Sequence, residues 1–206
     1  MVSEWCSQVL SISQKNRGEK MDDIYIQKVL KGDADAFRFI IRSYKDMAYS
    51  LAMSVVKDEF IAQEVLQTSF VNAFSNLATF KGKSKFSTWL YRIVINEAFK
   101  LLKKQGNSTI IYGEPLVNTA CEIDDFSLQI EVDDKRYYIN EALKKLSPKE
   151  SLALRLFYLE ENSIEEMIEI TGWTSSNIKV ILHRARTNMK QMLEERFSIN
   201  KNSFNL

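Results

Sequence analysis

Apolar residues recur at helical spacing through most of this chain, and the clearest case is the stretch from Phe80 to Lys104. It opens with a short polar loop, Lys81-Gly82-Lys83-Ser84-Lys85, and then becomes strongly periodic. At 100° per residue, Phe86, Leu90, Ile93, Val94 and Leu101 share one face, the stripe that a packed helix buries. Lys85, Thr88, Trp89, Arg92, Asn96 and Lys103 fall on the opposite side. Between 77 and 104, seven Lys or Arg stand against one acid, Glu97. Two readings fit such a face. One is a solvated basic surface. The other is a bed for a nucleic-acid strand, where cations neutralise phosphates and flat rings stack on unpaired bases.

The rest of the chain extends the helical pattern. Six Gly and two Pro in 206 residues suit long helices joined by short loops. Residues 1–20 read as a loose extension. Asp22 or Asp23 can cap a helix that runs to Leu30 and stops at Lys31-Gly32. Asp33 or Asp35 caps a longer one to about Lys57. Asp58 caps a third, with Ile61, Val65, Leu66, Phe70, Ala73, Phe74 and Leu77 as its core stripe. Together with the helix from Phe86 these make a compact bundle, residues 21–105.

Periodicity fails between Gln105 and Asp134, where Gly106, Asn107, Gly113 and Pro115 punctuate the chain. Residues 106–134 read as a linker. Seven acids and no Lys or Arg fall within 114–134. Helices return over 135–196, with Tyr137, Ile139, Ala142, Leu143 and Leu146 on one stripe. Ser147, Pro148 and Glu150 form a helix-start signature. Leu152, Leu154, Leu156, Phe157 and Leu159 continue the core. A capped helix follows from Ser163 to Ile170, then Thr171-Gly172-Trp173, with Gly172 suited to a left-handed turn. The last helix, capped by Thr174 or Ser175, buries Ile178, Leu182, Ala185, Met189 and Leu193. Residues 197–206 read as a tail.

A short acidic helix, a Gly turn and a second helix with Lys179, Arg184, Arg186 and Lys190 but no acid over 174–193 is the pattern of a helix-turn-helix. An ordinary corner between two packed helices is the plainer alternative. In the first reading Ser175, Ser176, Asn177, Lys179 and Val180 reach base edges, and Arg184, Arg186 and Lys190 hold phosphates. His183 shares the outer face.

Composition narrows the function. Cys6 and Cys121 have no partner at metal spacing and His183 is the single histidine, so neither a metal nor another cofactor is expected. There is no carboxylate pair or Gly-rich phosphate loop, hence no catalytic set and no small-molecule substrate. No apolar run reaches the length of a membrane span, and the start lacks a signal-peptide core. The expectation is a cytoplasmic, all-α protein of two small helical domains joined by a flexible acidic linker.

Three motifs in order resemble the bacterial sigma-70 family of transcription initiation factors, in its extracytoplasmic-function (ECF) subfamily. Phe86, Trp89, Leu90, Tyr91, Arg92, Ile93 and Asn96 match its F-x-x-W-L-Y-R-I-x-x-N helix. Leu146, Ser147 and Glu150 match its L-P/S-x-x-E helix start. Ile178, Lys179, Leu182, His183, Arg184, Ala185 and Arg186 match its V-K-x-x-L-H-R-A-R helix. The resemblance implies that 21–105 is region 2, binding core RNA polymerase and the promoter −10 element, and that 135–196 is region 4, binding the −35 element. It assigns polymerase docking to Glu64, Val65, Leu66, Gln67 and Phe70. It assigns the −10 strand to Lys81, Lys83, Ser84, Lys85, Phe86, Thr88, Trp89, Arg92 and Asn96, and the −35 duplex to Ser175, Ser176, Asn177, Lys179, Val180, His183, Arg184, Arg186 and Lys190. It further implies an anti-sigma factor as partner. The acidic linker then reads either as a tether or as an imitation of an RNA backbone. Thr68, Ile168, Trp173 and Ile181 depart from the family pattern. A freestanding helix-turn-helix regulator, or an adaptor that binds only protein, would leave the 80–104 surface without a purpose.

Overall fold

The computed structural model describes residues 21–104 and 141–203, with side chains through Glu194, and every regular element among them is helical. The extension 1–20, the linker 106–134 with its acidic run, and both cysteines lie outside the described residues.

Helix α1 covers 21–30 and ends at Gly32, whose φ of 101° no L side chain adopts comfortably. Asp22 is not an exposed cap. It is buried and accepts a hydrogen bond from the Tyr44 hydroxyl, which ties α1 to the next helix. Tyr25 stacks on Phe39 with centroids 3.8 Å apart. Asp33 accepts from the Ala36 N–H at 3.2 Å and caps a short 3-10 turn, Ala34–Ala36, which continues as α2, Phe37–Val56. Lys57 ends α2 in the left-handed conformation at φ 59°. That geometry aims its ammonium at the second half of the chain, where it donates to the Leu143 carbonyl at 2.5 Å.

Asp58 caps α3, Glu59–Ser75, by accepting from the Ile61 N–H at 3.0 Å. After a 3-10 turn at Leu77–Thr79 and the loop 80–85 comes α4, Phe86–Lys104. The second half starts with α5, residues 141–145, and α6, Pro148–Leu154. Ser147 and Glu150 exchange hydrogen bonds in a capping box, as do Ser163 and Glu166 at the start of α7, Ile164–Thr171. Between those two starts α6 runs into a single π turn, Arg155–Leu159. The wider turn rotates the register, so Leu159, expected in the core, is exposed together with Tyr158. Gly172 takes φ 72° and closes α7 through its N–H to Ile168 O. Thr174 caps α8, Ser175–Ser203, which runs past its expected end near 196.

Helices α2, α3 and α4 pack pairwise, and α8 packs on α6 and α7. The halves are also in contact: α4 lies against α7 and α2 against α6, so one buried core extends from Ile40, Leu51 and Leu90 to Leu156, Met167 and Ile170.

Two stability measurements follow. Ser69 Oγ is buried with no hydrogen-bond partner, so Ser69→Ala removes an unsatisfied group and improves helix propensity. A gain of about 1 kcal/mol in urea denaturation is expected. Burial, then the nearby Arg155 charge, lowers the Lys57 amine from 10.5 to about 8. Between pH 8 and 10.5 the unfolded chain therefore holds a proton that the folded chain has released. Stability from this group rises with pH across that window, and Lys57→Met abolishes the rise.

Candidate nucleic-acid interface

Loop 80–85 turns at Gly82, whose φ of 65° favours glycine although a Cβ there would meet open space. Lys81 and Lys83 are exposed and Ser84 is half-buried. Lys85 is engaged: its ammonium lies 2.9 Å from Glu166 of α7. Phe80, Phe86 and Trp89 form a ring cluster with all three centroid separations at 5.5 Å, and Tyr44 joins it at 5.6 Å. The cluster fixes the half-buried indole at the margin of the core.

Two residues of the expected strand surface are not on it. Phe86 and Thr88 are both 4% exposed. Phe86 lies on the apolar stripe that the core buries, and Thr88, expected on the polar face, is covered because α4 is packed on two flanks, by α2 and α3 and by α7. Tyr91, Ile95, Ala98 and Leu102 are consequently buried as well. Burial, reinforced by the nearby Glu160 and Asp22 charges, raises the Tyr91 hydroxyl well above its ordinary range. Arg92 and Asn96, on which the strand reading depends, both face solvent. Beside them a groove of about 380 Å³ runs between α3 and α4, lined by Asn72, Asn76, Thr79, Trp89, Ile93, Asn96 and Glu97. Asn72 Nδ2 donates to Glu97 Oε1 at 3.2 Å, and Lys100 pairs with Glu97 Oε2 at 3.2 Å. The sequence reading passed over Asn72, Asn76 and Thr79; their i, i+4, i+7 spacing is the signal that marks them as one polar strip.

On α3, Glu64 and Gln67 are exposed one turn apart. Val65 at 0% and Phe70 at 7% belong to the core, so the segment expected to dock offers Glu64, Gln67 and part of the half-buried Leu66. Phe60, Val71 and Phe74 complete the outer stripe, and Phe60 is 85% exposed. Phe74, expected inside, rests one ring edge on Phe37 and leaves the rest uncovered.

In α8, Ser176, Asn177, Lys179, Arg184, Arg186 and Lys190 are exposed, while Ser175, Val180 and His183 are half-buried. Ile181, which departs from the family pattern, is 8% exposed and joins Ile178, Leu182 and Ala185 in the core. Trp173 is half-buried at the edge of the turn: the Lys149 ammonium lies 5.9 Å from its ring centroid, and its backbone N–H donates to Thr171 Oγ1. Asn188 Nδ2 donates to Glu150 Oε1 at 2.8 Å and ties α8 to the start of α6. Among the described residues no cluster of His, Cys, Asp and Glu is arranged to hold a metal, and no helix is long and apolar enough to cross a membrane.

The Sigma-70 region 2 family model matches residues 40–108 and the Sigma-70 region 4 model matches 136–189. The chain is 34% identical to the RNA polymerase sigma factor YlaC of Bacillus subtilis (strain 168), over 63% of this chain and 76% of that protein. The chain belongs to the sigma-70 family, in its ECF subfamily. It is 28% identical to the ECF RNA polymerase sigma factor SigW of the same organism, over 82% of this chain and 95% of that one. In fold it resembles the sigma factor RpoE of Bartonella quintana, solved in complex with the anti-sigma factor NepR, with a TM-score of 0.57, 22% identity and coverage of 77% of this chain and 96% of that one. As a sigma factor the chain directs transcription initiation by RNA polymerase. Family membership sets aside the freestanding regulator and the adaptor.

Proposed function

We propose that this sigma factor uses three separate surfaces in initiation. The outer face of α3, with Glu64 and Gln67 between Phe60 and Val71, docks on a helical element of core RNA polymerase. An exposed apolar stripe with a carboxylate and an amide at its centre suits a partner helix. Lys81, Lys83, Trp89, Arg92 and Asn96 guide the non-template strand of a melted −10 element. Phe86 and Thr88 support that surface from beneath. The first turns of α8 enter the major groove of the −35 element, with Ser176, Asn177, Lys179 and Val180 at base edges and Arg184, Arg186 and Lys190 on phosphates.

The observation that carries this reading is the exposed strip of α4, where a cation and an amide flank an indole held by its ring cluster. Extruding a base costs a few kcal/mol. Stacking on an aromatic ring returns about 1–3 kcal/mol, and phosphate neutralisation adds to it. Each good contact to a base edge in the −35 groove discriminates by about 1–3 kcal/mol. Neither DNA surface needs to bind tightly alone, since polymerase holds both at high effective concentration. The chain acts where the polymerase is, in the cytoplasm, and contributes no catalytic group. A protein antagonist of the kind bound to the Bartonella quintana factor would act by covering these surfaces.

Run-off transcription with core polymerase on genomic fragments tests the proposal. Start sites should share paired −35 and −10 elements. Arg92→Ala should lower transcription from every one of them by about tenfold, the loss expected for roughly 1.4 kcal/mol. Phe60→Asp should abolish co-purification with core polymerase while leaving the helical circular-dichroism spectrum intact. Tight, specific binding of promoter duplex by the chain alone would count against the proposal.

A further inference from the structure

The two halves of the chain meet through more than apolar surface. Lys57, at the end of α2, donates to the Leu143 carbonyl of α5 at 2.5 Å. Where α6 widens into its π turn, the Glu160 N–H reaches the Arg155 carbonyl at 3.0 Å. The wide turn brings those two side chains together, 3.8 Å apart and only 22% and 6% exposed. Across the joint lies Tyr91 of α4, whose hydroxyl feels the Glu160 charge and, from α1, that of Asp22. Such a joint is sealed by charge as well as by apolar burial, and desolvated charges are tolerated only while their partners stay in place.

This closed arrangement cannot serve a whole promoter. Lys85 touches Glu166 at 2.9 Å, and nine residues lead from Glu166 to Ser175, the first of α8. Even fully extended, that stretch and the two side chains reach no more than about 40 Å. Elements about 25 base pairs apart, as the names −10 and −35 state, are separated by roughly 85 Å of duplex. The halves therefore have to part. Residues 105–140 join them, and 36 residues can span at most about 120 Å.

We infer that the joint formed by Lys57, Arg155, Glu160 and Tyr91 is an autoinhibitory latch within this chain, closed in the free factor and parted when core polymerase and both promoter elements are bound. The inference rests on the proposed use of α4 and α8 on two separate elements. Polymerase and promoter together bind only the parted form, so the stability of the joint lowers their apparent affinity. The latch is also linked to protons. Burial, then Arg155, lowers the Lys57 amine to about 8, while Glu150 of α6 acts the other way. The remaining charges around it are engaged or outside. Asp58, its chain neighbour, accepts from the Ile61 N–H; on α5, Glu141 and Lys144 pair at 2.7 Å and Lys145 is exposed. In the parted form the amine returns to its ordinary 10.5. Closing thus releases a proton between pH 8 and 10.5, and the closed form gains as pH rises through that window. Tyr91 acts in the opposite sense, but only above pH 10.

Spin labels on Gln63→Cys and Glu169→Cys, both at exposed positions, report the separation of the halves by dipolar spectroscopy in the full chain with Cys6→Ser and Cys121→Ser. The free factor should show one short distance, and the transcribing complex with core polymerase and promoter one about twice as long or more. Glu160→Gln, which strips Arg155 of its counter-charge, should populate the long distance in the free factor and keep the helical circular-dichroism spectrum. It should also lower the factor concentration for half-maximal run-off transcription by about threefold or more. In that variant, raising the pH from 8 to 10 should restore the short distance, and adding Lys57→Met should remove the dependence on pH. A long distance in the free wild-type factor, or a Glu160→Gln chain that stays short at pH 8, overturns the latch and leaves the promoter reading standing. A short distance kept in the transcribing complex overturns the two-element reading and the latch together.

Discussion

Helix α4 is packed from two directions, and that constraint shapes the rest of the molecule. Leu90 and Val94 face the first bundle, and the broader buried set of Tyr91, Ile95, Ala98 and Leu102 needs a second wall, which α7 helps to supply. Each large apolar side chain so buried contributes about 1.5–3 kcal/mol, far more than any single surface contact. Packing therefore decides the helix's rotation and leaves polar chemistry the remaining strip. Arg92 and Asn96 occupy it because they cannot be buried without partners. The surface proposed for nucleic acid is what packing leaves over, and it rests on the core beneath it.

Local signals in the sequence translate directly into structure. Asp58, Ser147 with Glu150, Ser163 with Glu166, and Gly172 all do what their positions announce, because a cap or a left-handed turn depends on residues within one turn of itself. Facing depends on partners far away in the chain, and there the sequence misleads. Thr88 looks like a surface hydroxyl until a second flank covers it. Phe74 and Leu159 look like core residues, yet one lies at the edge of α3 and the other is turned outward by a π turn that no spacing rule anticipates. Asp22 has the composition of a helix cap and the environment of a buried hydrogen-bond partner.

The same distinction runs through the candidate sites. A motif such as Glu64-Val65-Leu66-Gln67 fixes spacing, and a helix then divides its members between solvent and core. Glu64 and Gln67 fall outside, whereas Val65 serves the bundle. The exposure of Arg92 and Asn96 could be anticipated because α4 is long and strongly patterned. The α3 side of the groove could not, because Asn72, Asn76 and Thr79 acquire meaning only once α3 lies beside α4.

The Lys85–Glu166 pair links a loop assigned to melted DNA with the first helix of the helix-turn-helix. Under the proposed role of that loop, a phosphate there would compete with the α7 carboxylate for the same ammonium. The chain would then supply its own counter-ion, and seating a strand on Lys85 would require displacing a resident anion.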